Sequence, residues 1–146
     1  MKVIKFILIC LSVTLLVACQ TSYPRLFDEN QTIVKQYQAQ NLNTHLSSLI
    51  IVQSYQGTFR ATQLTPLGVP ITRQILTSSG WQNDGFLYPN RKASYLFSAI
   101  VSWQFPDRIP APYTSLLNTG KWRLEKQENS AMIFIDKDKW LIQFIE

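Results

Sequence analysis

From Thr32 onward the chain breaks into short segments of alternating apolar and polar residues parted by turn residues. One stretch breaks that pattern: residues 92–104 (KASYLFSAIVSWQ) contain neither glycine nor proline. Period-2 alternation of this kind specifies half-buried strands, and a 13-residue run with apolar positions three and four apart specifies a helix. Residues 45–56 carry the strongest strand signal, Leu49-Ile50-Ile51-Val52, with His45 at its start; residues 58–65 and 70–78 follow around Thr65-Pro66-Leu67-Gly68. Asn83-Asp84-Gly85 is a hairpin signal. In residues 32–40 the alternation supports a strand, while Gln, Lys and Ala also suit a helix. In 92–104, Leu96, Ile100 and Trp103 share a face that Ala93, Phe97 and Val101 widen, so this helix is expected to pack between layers. Pro106, Pro110 and Pro112 predict a stiff loop. Residues 121–126, 131–135 and 140–145 complete a meander around a polar turn at 136–139. The expectation is an α+β, mostly β domain: an antiparallel curved sheet with a central packing helix at about 92–104.

The first 18 residues predict a different fate. Lys2 and Lys5 precede an apolar run from Phe6 to Ala18, the layout of a secretory signal. At about 13 residues and about 1.5 Å per residue, the run is shorter than a bilayer core of about 30 Å. Leu16-Val17-Ala18-Cys19 resembles a bacterial lipobox, which implies that Cys19 carries diacylglycerol and an N-acyl chain and becomes the mature N-terminus. The alternative is a cysteine simply buried in a leader. Several acyl chains at about 0.8 kcal/mol per buried CH₂ give durable anchoring. Gln20 follows instead of an inner-membrane-retaining aspartate, so the expected location is the periplasmic face of the outer membrane. The organisation is then a signal at 1–18, a lipidated tether at 19–30 and one domain at 31–146, the part to which the half-barrel reading below applies.

Composition gains meaning only after that division. The whole chain is 46% apolar and 16% charged, with a formal charge of +5. Without Lys2 and Lys5, 12 basic and 9 acidic side chains remain, a charge of +3. Those basic residues are dispersed, which argues against a nucleic-acid partner. Cys10 leaves with the signal and Cys19 loses its thiol, so cysteine chemistry is excluded, and one histidine cannot complete a zinc site. His45, beside Thr44 and Leu46, suits a surface or hydrogen-bonded role better than a catalytic one. Asp136 and Asp138 lack the glycine and late glutamate of a calcium loop, and Lys137 and Lys139 oppose a cation. No phosphate-binding loop, dinucleotide fingerprint or nucleophile elbow occurs. Neither enzymatic activity nor a cofactor beyond the acyl groups on Cys19 is expected.

Hydrophobic recognition remains. A curved sheet that does not close around its helix leaves an apolar cavity suited to acyl chains. Ile51, Phe59, Leu67, Phe86, Leu96, Phe97, Ile100 and Trp103 are the expected ligand-binding residues. The alternative is that these side chains fill the core, leaving an interaction lipoprotein that supports an envelope assembly through a protein partner.

Residues 57–68 (GTFRATQLTPLG), continuing through 71–76 into the helix at 96–103, resemble a bacterial lipoprotein family of unknown function. That family is associated with aryl-polyene gene clusters and is distantly similar to the LolA/LolB lipoprotein carriers. The resemblance implies a half-open barrel with an apolar concave face. In LolB-like receptors a leucine exposed on an inter-strand loop assists delivery to the membrane; Leu67 occupies a comparable position. The resemblance thus implies binding or transfer of a lipid-like or lipoprotein acyl ligand.

Overall fold

The computed structural model describes residues 32–55, 58–106, 109 and 111–145. The signal, Cys19 and the tether lie outside the described residues. The order is β1 (Ile33–Asn41), β2 (Ser47–Tyr55), β3 (Thr58–Leu64), β4 (Pro70–Thr77), β5 (Gly80–Asn83), α1 (Arg91–Gln104), α2 (Ala111–Leu117), β6 (Trp122–Lys126), β7 (Ser130–Ile135) and β8 (Asp138–Phe144). The domain is α+β and mostly β. Its strands form one antiparallel sheet in the order β5-β4-β3-β2-β1-β8-β7-β6, in which the last strand returns to pair with the first.

Alternation decides which face is buried. Tyr37 and Ala39 of β1, Ile50 and Val52 of β2, Phe59 and Ala61 of β3, Ile133 and Ile135 of β7 and Ile142 of β8 are all at most 1% exposed. The intervening residues point to the opposite face. β1 is a strand because β2 and β8 pair with it on both sides, Tyr37 standing opposite Ile50 and Phe144. Two-sided pairing outweighs the weak helical propensity of its glutamines and lysine.

α1 lies across the buried face. Asn90 caps it, its side chain accepting the Ala93 N–H at 3.1 Å. Trp81 of β5 packs on Phe97 with ring centroids 5.6 Å apart and donates its indole N–H to Ser98 Oγ at 3.0 Å. The same helix also packs against β6 and β7. Eight flat strands spaced about 4.8 Å would be about 34 Å wide, whereas a helix is only about 10–12 Å across. One helix can touch both margins only if the sheet curls around it, so the curvature follows from these contacts. β5 and β6 are not paired with each other, and the sheet stays open. α2 sits along this seam, touching α1 and β5, and the Leu117 carbonyl accepts the Trp122 indole N–H at 2.8 Å. Among the described residues, the core cluster is assembled between Tyr37 and Ile142, so the chain from Gln20 onward contains all of that described core.

Three local expectations are corrected. His45 lies not on a strand but in the exposed 42–46 turn with φ 59°, where Asn41 Oδ1 accepts the Asn43 and Thr44 amides. Asn83-Asp84-Gly85 makes no hairpin. The Asp84 amide donates to the Arg73 carbonyl at 2.9 Å, and Arg73 Nε returns a bond to the Asp84 carbonyl at 3.0 Å. Residue 84 therefore stays beside β4, and the chain proceeds to α1. The hairpin lies instead at Ser78-Ser79 between β4 and β5. The proline-rich loop contains a helix, α2, because Pro112 falls in its first turn, where a missing N–H breaks no helical bond.

Tyr37 is fully buried, with its hydroxyl lacking a hydrogen-bond partner. Burial pushes its phenol pKa well above the ordinary value near 10. The protonated form is thus favoured more in the native state than in the unfolded chain. Its stabilising share is fully present below about pH 10 and is lost as pH rises further. Tyr37→Phe is expected to raise stability by about 1 kcal/mol, by removing an unpaired buried group, and to flatten the alkaline decline. Urea titrations at pH 7 and above pH 10 check both effects.

Candidate ligand cleft at one end of the sheet

The turns at 42–46, 65–69 and 136–137 gather at one end of the curved sheet, beside the 84–90 connection and the start of α1. Between them is a cleft of about 230 Å³. Leu46, Ile71, Ala93, Leu96 and Trp140 form its apolar walls; Ser48 and Gln63 form a polar patch; Ser47, Asn90 and Lys92 complete the lining. Ser48 and Gln63 are each 6% exposed, and Gln63 Nε2 donates to Ser48 Oγ at 2.9 Å. On the helix side, buried Gln74 ties β4 to the start of α1: its Nε2 donates to the Asn90 carbonyl at 3.0 Å, and its Oε1 accepts from Ser94 Oγ at 2.9 Å.

Lys92 Nζ meets Asp138 Oδ2 at 2.6 Å. The hydrogen bond to Asp138, and then its charge, hold the lysine pKa above the ordinary value. The pair is exposed, so it steers and orients more than it stabilises. Asp84 similarly faces Arg73 and Arg60, at 3.2 and 3.6 Å.

Exposed apolar side chains surround this end. Leu67 is 92% exposed at the tip of the 65–69 turn, which Gly68 completes with φ +81°. The Gly68 amide donates to the Thr65 carbonyl, and the Thr65 amide to that of Val69. Leu46, Val69 and Ile71 are also exposed, as are Phe86 and Tyr88 on the 84–90 connection. A more open depression beside Pro70, Arg73 and Phe86 adjoins them.

The structure separates the expected lining residues. Leu96 does line the cleft. Phe59, Phe97 and Ile100 are instead fully buried in the core, Phe59 against Phe105 at 5.3 Å. Trp103 is half-buried against Tyr37 at 6.1 Å, in the last turn of α1 and away from the cleft. Ile51 belongs to the outer face, because Ile50 and Val52 on either side of it point inward; its register partners are Gln36 and Thr62. Phe86 is fully exposed, not interior. Leu67 and Phe86 are thus neighbours of the cleft rather than its walls.

Sequence reasoning missed Leu46, Ser48, Gln63, Ile71, Ala93 and Trp140 in this role. The available signal was the placement of Leu46 and Ile71 beside turns, where surface residues are usually polar. Among the described residues, no group of three or more His, Cys, Asp or Glu side chains is placed to hold a metal ion. No helix among them is long and apolar enough to cross a membrane. No protein-family model matches the chain, and no curated protein matches it.

Proposed function

We propose that this chain is a non-enzymatic outer-membrane lipoprotein, anchored through acylated Cys19, that binds or passes on a lipid-like ligand in the periplasm. The observation that carries this reading is the apolar cleft at one end of the sheet, ringed by exposed Leu46, Leu67 and Val69. A cleft of that lining captures an apolar segment, while the exposed ring offers it a path to or from a bilayer or carrier. The resemblance to LolA/LolB-like carriers points the same way, with the end cleft taking the role expected of the whole concave face. No nucleic acid or further cofactor is part of this reading.

Ile71→Glu tests it. Ile71 is 42% exposed, so the substitution leaves the core intact, but it sets a carboxylate in the apolar wall, where charge is disfavoured. Binding of a fluorescent acyl probe is expected to weaken at least tenfold, with an unchanged far-UV circular dichroism spectrum. Unaltered probe affinity would remove the cleft from the account.

The filled core beneath α1 favours a second reading. Leu96, Phe97, Ile100 and Val101 are at most 1% exposed, and a domain packed in this way also suits an envelope scaffold that binds a protein through Phe86 and Tyr88.

A further inference from the structure

Resting on the lipid-binding reading, we infer that the cleft accepts one short apolar segment bearing a hydroxyl, and excludes a multi-chain lipid. Size is the first argument. Drug-sized ligands occupy cavities of about 300–1,000 Å³, and this one holds about 230 Å³. At about 30 Å³ per water-sized group, it accommodates about eight heavy atoms.

The second argument is the polar patch. Ser48 Oγ accepts from Gln63 Nε2, which leaves the serine O–H proton without an acceptor and Gln63 Oε1 without a donor among the described residues. Both side chains are more than nine-tenths buried, and both line the cleft. Thr72, opposite Gln63 in the sheet register, is fully buried with its hydroxyl also unpartnered. An enclosed hydroxyl such as that of Thr72 is rarely left in this state. A ligand hydroxyl matches the pair atom for atom: its proton goes to Gln63 Oε1, and its oxygen accepts from Ser48. A carboxylate has no proton for Gln63, and the charge of Lys92, the cation in the lining, is offset by Asp138 at 2.6 Å. The walls of Ile71, Leu96 and Trp140 take the apolar remainder.

The test titrates n-alkan-1-ols from butanol to dodecanol into the chain from Gln20 onward. Trp140 fluorescence is the readout, and Trp140→Phe is the control that isolates it. Affinity should rise about fourfold per methylene and level off near octanol. The matching alkanoates at neutral pH should bind at least tenfold more weakly. Ser48→Ala/Gln63→Leu, which removes both members of the pair and so leaves neither unpartnered, should erase the preference for alcohols while retaining alkyl binding. A continued rise to dodecanol, equal binding of alkanoates, or an unchanged preference in the double variant would overturn the inference while sparing the lipid-binding reading. Failure of every alkyl probe to perturb Trp140 would leave the cleft to water and overturn both.

Discussion

Phe97→Ala is expected to lower stability by about 3–5 kcal/mol, the range for deleting a fully buried phenylalanine. Phe97 is 0% exposed and packs at a tilt against Trp81, the β5 residue that also bonds Ser98 of α1. Its loss opens a cavity where α1 meets one margin of the sheet, while the contacts of α1 with β6 and β7 at the other margin remain. A domain of this size has a total stability of roughly 5–15 kcal/mol, so the variant should populate unfolded chains under mild denaturant. Urea unfolding followed by tryptophan fluorescence measures the loss. A change below 1 kcal/mol would mean that α1 does not hold the curved sheet together at this point.

The second large effect concerns location. Cys19→Ser is expected to abolish acylation and move the domain from the outer-membrane fraction to the material released without detergent, or to leave it in the inner membrane with its leader uncleaved. Multiple acyl chains each contribute about 0.8 kcal/mol per buried CH₂, and no helix among the described residues can replace that attachment by crossing a membrane. Mass spectrometry of the N-terminal peptide and fractionation on a density gradient follow the change. Outer-membrane fractionation of the serine variant identical to the parent would contradict the anchor.

The fold was largely legible because its signals are local. The alternation in β2, β3, β6 and β7 and the apolar face of α1 each appear within a dozen residues. Failures occurred where a distant residue outweighed local preference. Arg73, eleven residues away, holds Asp84 and turns a hairpin sequence into a connection. β1, by contrast, forms the strand its alternation supports, and pairing with β2 and β8 outweighs the helical alternative there. The helix at Ala111–Leu117 was hidden by Pro112, which its first turn tolerates. The cleft was far less legible. Leu46, Ile71, Leu96 and Trp140 come from four separate segments, and nothing in the spacing of one segment reports its distance from another. Aromatic residues were also poor guides to depth: Phe97 and Phe86 are eleven positions apart, one completely buried and the other completely exposed.

The most direct test of the central claim is native mass spectrometry of the chain from Gln20 onward, produced in a Gram-negative periplasm and incubated with a bacterial lipid extract. The account predicts one small apolar molecule per protein, released by organic solvent and absent from Ile71→Glu. A bare protein mass for the parent chain, before and after incubation, would contradict it.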